Sequence, residues 1–327
     1  MSGKLRIGII GCGDFLRLRA ADLLSSRQVE VKLLYSPVNS ANAERYAEIF
    51  GAKAVDSPEA IINDPEIDVV CVFVPPFARK EYVLAAAKAG KQIVATKPLA
   101  ADLSDAREMT EAVEQAGVRC GVIYRRTNNP VIEAYKEIFS GGEFGKLALY
   151  KQDWLHHYPT WNRWATDPQK NGGPFMDAML HNLNAARYLM GRRVVGRAFF
   201  SDDHTHSLAC DDTQFLKVDF EQGASAHLFI TWAAELAVYD SAKNDREHID
   251  QCFMVTDQGW LFRNEIREGK AVITATRNGL EKDFPVIPFE ETFFDRYAKE
   301  IKNRDMLPAD LPDICEAYED LRILLEN

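Results

Sequence analysis

The chain reads as an α/β protein: a doubly wound parallel sheet, followed by an α+β domain built on a large, mostly antiparallel sheet. Three observations predict this. An apolar run, Leu5, Ile7, Ile9 and Ile10, stops at Gly11-Cys12-Gly13 and passes straight into helix-forming residues. Strand and helix patterns then alternate without a break to Tyr124, which is the signature of βαβ units. After Arg125 the alternation gives way to runs separated by hairpin signals. The expected division is therefore residues 1–124 and 125–327, two domains of ordinary size with enough chain for a core in each.

Strand, tight glycine turn and helix is how a dinucleotide-binding unit begins. Gly11 supplies the turn, Gly13 lets the backbone approach a pyrophosphate, and the free N–H groups of a helix starting near Asp14 and Phe15 face the phosphate charge. Leu16 stands where the fingerprint has Gly or Ala. After the helix to Ser25, Val29 to Tyr35 reads as a strand and Ser40 to Gly51 as a capped helix with a glycine stop. Ser57-Pro58-Glu59 opens a short helix, and Val69 to Val74 is a continuous β-branched run of the buried parallel type, ended by Pro75-Pro76. Phe77 to Ala89 has helical period, Gln92 to Thr96 is a strand, Ser104 to Ala116 a helix and Cys120 to Tyr124 a strand. In such a sheet the ligand crevice lies beyond the carboxyl ends of the strands, where Gly11, Pro75, Lys97 and Tyr124 fall.

The second domain begins with a helix, Val131 to Ser140, and continues through strand runs Leu147–Trp154, Val194–Phe200, Thr213–Phe220, Ala224–Trp232, Cys252–Thr256 and Ala271–Thr276. Glu221-Gln222-Gly223 and Asp257-Gln258-Gly259 are the expected turns between neighbours. A helix from Pro174 to Met190 closes on Gly191, and two helices end the chain, the last able to pack back on the first domain. Gly141 to Lys146 is an ordinary turn: a phosphate loop needs glycine where Ser140 stands and Ser or Thr where Leu147 stands.

A formal charge of −10 with no basic block argues against a nucleic-acid backbone or an anionic membrane as partner and leaves small molecules. The six cysteines form no C-x-x-C pair and read as reduced thiols, those at 12, 71 and 120 as core residues. There is no signal-peptide pattern and no apolar run near membrane-spanning length, so the expected location is the cytoplasm.

Chemistry concentrates at few places. Lys97 follows a buried strand and precedes Pro98, where a lysine can hydrogen-bond a substrate oxygen and favour negative charge on it, or stand in a loop as a solvated cation. In Gly172-Gly173-Pro174-Phe175-Met176-Asp177-Ala178-Met179-Leu180-His181 the carboxylate and imidazole stand at i and i+4 on one helical face, as a general base near neutrality and its orienting partner require, and as an ordinary stabilising helix pair also does. Trp154, Trp161 and Trp164 cluster with His156, His157, Tyr158 and Arg163 before that helix. Aromatic faces with interspersed donors suit a polyhydroxylated ring, and they equally suit a subunit interface. His204, His206 and the nearby aspartates lack a second ligand pair at metal spacing, so no metal is expected.

The segments Gly8-Ile9-Ile10-Gly11-Cys12-Gly13-Asp14, Ala89-Gly90-Lys91-Gln92 through Thr96-Lys97-Pro98-Leu99, Tyr124-Arg125-Arg126-Thr127-Asn128-Asn129-Pro130, and Gly172-Gly173 with Asp177 and His181 resemble, in that order, the motifs of the Gfo/Idh/MocA oxidoreductases. The resemblance implies an N-terminal Rossmann domain and a C-terminal sheet domain for substrate and subunit contacts, in a nicotinamide-dependent dehydrogenase or reductase of sugars and cyclic polyols. It also implies catalysis by Lys97, Asp177 and His181. The cofactor residues are then Gly11, Cys12, Gly13, Asp14, Phe15, Ser36, Val74, Pro75, Lys97, Pro98 and Arg126. For the substrate they are Lys97, Tyr124, Trp154, His156, Trp161, Arg163, Asp177 and His181, with a homodimer or homotetramer formed through the C-terminal sheet. Thr96 departs from the family's usual Glu before the lysine. The second strand ends in Ser36-Pro37-Val38-Asn39, without the acidic residue of NAD-selecting members, and the nearest cations are Lys32 and Arg45, so NADP or NAD is expected with a slight preference for NADP. Two other classes stay open: a non-catalytic dinucleotide-binding sensor or repressor, and a redox-neutral sugar hydrolase or lyase using transient oxidation.

Overall fold

The computed structural model of the protein describes residues 3–158, 163–205, 207–234, 249–303 and 311–326. They divide into two units, one of residues 1–128 with 289–327 and one of 129–288.

The first unit alternates as its apolar pattern dictates: β1 Leu5–Ile10, α1 Asp14–Ser25, β2 Val29–Tyr35, α2 Ser40–Phe50, β3 Lys53–Ala54, α3 Glu59–Ile62, β4 Val69–Val72, α4 Lys80–Lys88, β5 Gln92–Thr96, α5 Leu103–Ala116 and β6 Cys120–Ile123. The six strands lie in the order β3-β2-β1-β4-β5-β6 and all pair in parallel. The order reverses between β1 and β4, so the turns after those two strands open at the switch point of a Rossmann sheet. Every residue of β4 is buried, as its uninterrupted β-branched run requires of a strand covered on both faces. Leu16, in the place of the third small residue, is itself fully buried among Leu5, Ile7, Ile9 and Val31. The cap of α2 is Asn39, whose side chain accepts from Ala41 N–H at 3.1 Å, one residue ahead of the Ser40 expected for that role.

In the second unit, α6 Pro130–Ser140 starts on the Asn129 cap with proline in its first turn. Then come β7 Leu147–Leu155, a π turn Phe175–Met179 leading into α7 Leu180–Met190, and β8 Val194–Asp202, β9 Thr213–Phe220, β10 Ser225–Thr231, β11 Ile249–Thr256, β12 Leu261–Arg267, β13 Lys270–Arg277 and β14 Leu280–Pro285. These form one sheet, β14-β13-β12-β11-β7-β10-β9-β8, antiparallel except for the β10–β7 pair. Leu216, Val218, Phe220, Ala226, Leu228 and Ile230 alternate inward from β9 and β10 and are buried. Glu221–Gly223 joins the two strands anticipated, β9 and β10, whereas Asp257–Gly259 leads from β11 into β12, a strand the sequence pattern did not announce.

The second sequence domain was expected to run to 327, but after Pro288 the chain rejoins the first unit. The reason is apolar: α8 Phe293–Lys302 buries Phe293, Phe294, Tyr297 and Ala298 in the core beneath β1, β2 and β4. The Tyr297 hydroxyl donates to the carbonyls of Ile93 (2.6 Å) and Arg119 (3.1 Å). Its ring fills the space over Gly121, where a Cβ would come within 2.7 Å of it. The last helix, α9 Ile314–Leu325, packs along α5. Among the described residues no helix is long and apolar enough to cross a membrane.

Candidate active site

At the end of β1 the chain turns on Gly11, whose φ of +104° is open to glycine and whose missing Cβ would sit 2.7 Å from the carbonyl of Phe73. Both the turn and the close packing of β1 on β4 therefore require Gly11. Gly13 is different: it is exposed, its φ is negative, and a Cβ there would meet no protein atom. The space over Gly13 lies at the N-terminus of α1, where no side chain caps the first N–H groups. Uncapped donors beside a cleared backbone suit a pyrophosphate, and on this count the residues fit a dinucleotide. Asp14 is exposed and faces Arg17 at 3.4 Å, Phe15 packs edge-on against Phe73 at 4.9 Å, and Cys12 is buried, with its Sγ 3.6 Å from the Tyr35 carbonyl. Burial pushes the Cys12 thiol up to about 12, so it stays protonated.

The ribose-side position, Ser36, is half-buried just beyond β2. Neither neighbouring cation is aimed at it: Lys32 pairs with Glu30 at 3.1 Å, and the Arg45 guanidinium lies over the Tyr46 ring at 4.8 Å. Val74 is buried and Pro75 exposed where the chain leaves β4. Tyr124 is buried, its carbonyl accepting from the Thr127 amide and hydroxyl. Arg126 is also buried, with Nη2 on Glu316 of α9 at 3.0 Å. The structure thus gives that guanidinium a partner within the fold.

Lys97 stands out by its surroundings. From Ile93 to Ala101 every residue is buried except Lys97, which is half-buried beyond β5 and followed by a cis bond to Pro98. Under this turn lies Arg79, 1% exposed, which sequence reasoning did not single out. Its Nη1 donates to the carbonyls of Thr96 (2.6 Å), Leu99 (3.0 Å) and Pro98, and its Nη2 to the Val74 carbonyl and the Thr96 hydroxyl, both at 2.7 Å.

The second unit shows the same contrast at α7. Between Gly173 and Ala186 only Asp177 and His181 are not buried. The π turn widens the backbone at Asp177, and such turns recur at functional sites. Gly172 is held against the backbone of Trp164 and Ala165, where a Cβ would come within 2.5 Å of a carbonyl oxygen. Gln214 of β9 accepts from the Phe175 amide at 2.8 Å and so stands in for a helix cap. One residue before β9, Asp212 is fully buried and accepts from the amides of His204 (3.1 Å) and Thr205 (2.8 Å) and the hydroxyls of Thr205 (2.7 Å) and Thr213 (2.8 Å). Burial pushes that carboxyl up, but these four bonds outweigh it and hold the group down to about 2.

Residues 5–124 match the family described as "oxidoreductase family, NAD-binding Rossmann fold", and residues 132–245 match the GFO/IDH/MocA C-terminal domain. The chain belongs to the Gfo/Idh/MocA oxidoreductases. It is 24% identical over 320 residues to a scyllo-inositol 2-dehydrogenase (NAD(+)) of Bacillus subtilis, covering 93% of this chain and 86% of that one. To a myo-inositol 2-dehydrogenase of Thermotoga maritima it is 27% identical over 309 residues, covering 91% and 86%. An aldose-aldose oxidoreductase from Caulobacter crescentus, solved with glycerol, shares the fold with a TM-score of 0.82 at 19% identity, covering 98% of this chain and 95% of that one.

Of the aromatic residues expected at the substrate, Trp154 is half-buried and packs edge-on against His156 at 5.1 Å. His156 is 1% exposed and its Nδ1 faces the His157 carbonyl at 2.7 Å, so Trp154 is the one of the pair with accessible surface. Arg163 is exposed, and Trp161 lies outside the described residues. Two residues escaped sequence reasoning in this Gfo/Idh/MocA chain: Arg79 and Gln214. For Arg79 a signal existed in its partner, since Thr96 departs from the family pattern. For Gln214 there was none, as it sits in an ordinary strand.

Proposed function

We propose that this Gfo/Idh/MocA oxidoreductase interconverts a secondary alcohol and a ketone on a sugar or cyclic polyol, with Lys97, Asp177 and His181 as its catalytic residues. The observation that carries the reading is the pairing of Asp177 and His181 as the two accessible side chains of an otherwise buried helix start. A nicotinamide dinucleotide held at Gly11, Gly13 and the start of α1 would supply or accept the hydride. His181 takes the hydroxyl proton as the alcohol is oxidised and returns it in the reverse direction, since imidazole changes charge near neutrality. Asp177 orients that imidazole. Lys97 donates to the reacting oxygen and stabilises negative charge developing there. The names of the two inositol dehydrogenase relatives support a cyclic polyol as the first substrate to try. Oxidation of myo- and scyllo-inositol and of a panel of aldoses, followed by cofactor absorbance, tests the reading. Cofactor turning over with none of them while product forms would favour a redox-neutral lyase.

Either dinucleotide serves, with NADP(H) preferred by no more than about tenfold in kcat/KM. Ser36 neither repels a 2′-phosphate nor charges against it, and Lys32 and Arg45 are engaged elsewhere. Ser36→Asp shifts the preference toward NAD(H) by at least about tenfold if Ser36 reads the ribose. An unchanged ratio removes it from that role. A homodimer or homotetramer forms through the eight-stranded sheet, whose outer rows carry Phe200, Phe215 and Phe229 in register. Light scattering of the purified protein, with Phe215→Glu as the disrupting variant, tests the assembly.

A further inference from the structure

We propose that Arg79 is a positioning residue for Lys97, and that together with the Thr96 hydroxyl it does the work of the carboxylate which this chain lacks before the lysine. The inference rests on the reading of Lys97 as the donor to the reacting oxygen.

Arg79 is placed by backbone alone: it lies between the turn Pro76–Ala78 and α4, and its carbonyl accepts from Val83 N–H at 3.2 Å. From there its side chain runs under the ends of β4 and β5. The five acceptors of its guanidinium belong to Val74, Thr96, Pro98 and Leu99, so three of the four residues in Thr96-Lys97-Pro98-Leu99 are tied to one planar fork. The fourth, Lys97, has its amide directed at the Ile123 carbonyl at 3.4 Å. A rigid fork of donors fixes acceptor positions in a way that a flexible ammonium does not. With the backbone pinned on both sides, the Lys97 side chain leaves the sheet from a fixed origin.

The cost of this arrangement points the same way. Among the described residues no carboxylate pairs with Arg79; four carbonyl dipoles and a hydroxyl surround its charge instead. Burying a cation costs several kcal/mol, and an apolar side chain filling the same space is often the more stable choice. Burial pulls this guanidinium down to about 10, which leaves it charged at neutral pH. What that cost obtains is four carbonyls and a hydroxyl held in fixed positions around Lys97. A turn that must hold a catalytic lysine within a fraction of an ångström needs this, because a misplacement of about 1 Å costs about a hundredfold in rate.

The test compares Arg79→Lys, Arg79→Met and Thr96→Val with Lys97→Ala in the full-length enzyme, using myo-inositol as probe substrate, or the sugar that surpasses it, with the better cofactor. Arg79→Met is expected to lower kcat at least about thirtyfold, Arg79→Lys to recover part of that loss, and Thr96→Val to lower kcat by about three- to tenfold, with the KM of the cofactor within twofold of wild type throughout. A purely structural role would lower the melting temperature and the yield of folded protein, and would leave kcat per folded site unchanged. That result for Thr96→Val and Arg79→Lys overturns the proposal, and these two variants decide it even if Arg79→Met does not fold. If Lys97→Ala keeps full turnover, the underlying reading of Lys97 is what fails. If Lys97→Ala is inactive while Arg79→Lys and Thr96→Val match wild type, only the positioning role is lost.

Discussion

Lys97 and the Asp177–His181 pair project from similar settings, each an accessible group in a run of buried residues, yet the two runs are secured by different means. In the turn after β5 one side chain, Arg79, supplies five hydrogen bonds from one charged fork. The π turn before α7 is held by many small terms: helical hydrogen bonds, the close approach of Gly172, the Gln214 cap, and the burial of Phe175, Met176, Met179 and Leu180. The contrast follows from local structure. A helix satisfies its own backbone groups beyond the first turn, whereas a turn leaving a strand end has carbonyls that need donors from elsewhere. The first arrangement concentrates risk in one residue, and the second distributes it.

The largest expected effects lie at the accessible groups themselves. His181→Ala and Lys97→Ala should each lower kcat by at least about a hundredfold, with cofactor affinity changed little, as steady-state kinetics and cofactor titration will show. Near-normal turnover in one variant would break the parallel between the two turns. Next are the glycines that let each turn close. Gly172→Ala forces a Cβ against backbone, and Gly11→Ala does so with a positive φ as well, so each should lose about 1–3 kcal/mol in urea unfolding. Of the two, only Gly11→Ala should also weaken dinucleotide binding.

A further effect separates two buried charged groups, Asp212 and Arg79. Asp212, whose carboxyl is held down to about 2, contributes stability that is fully present above its unfolded value near 4 and is lost as pH falls through 2. The amount is about 2 kcal/mol, to be read as a loss of amide protection at His204 and Thr205, relative to the free-peptide exchange rate at the same pH, and as its absence in Asp212→Asn. Arg79 stays charged across that range, so the Lys97 turn should show no matching change. Equal loosening of both would mean that acid acts on the whole fold rather than on the Asp212 loop.

Much of the architecture was legible in the residues because burial on both faces writes a continuous β-branched run, as in Val69–Val72, and burial on one face writes alternation, as in Thr213–Phe220. Where the surface is mostly exposed the pattern fades. β12 and β14, rich in Arg, Glu, Lys and Asp, escaped notice, as did the two-residue β3. In the candidate site, glycines and the i, i+4 pair were visible because their spacing is local. Arg79 was not, since an arginine amid a helical pattern reads as a solvated face and its acceptors lie up to twenty residues away in the chain. The Glu316 partner of Arg126 and the π turn were hidden for the same reason: spacing in sequence carries no record of contacts made through the fold.

The return of the chain to its first unit has a consequence for synthesis. Phe293, Phe294 and Tyr297 complete a core whose other walls are made before Asn128, with the whole of the second unit translated in between. At ribosomal rates, about 160 residues take roughly ten to thirty seconds to emerge. For that interval the apolar floor beneath β1, β2 and β4 is without its last helix, and Gly121 without the ring that fills the space above it. The nascent first unit therefore keeps an apolar surface uncovered until its C-terminal segment arrives, whereas the second unit, continuous in the chain, can close as soon as Pro288 clears the exit tunnel.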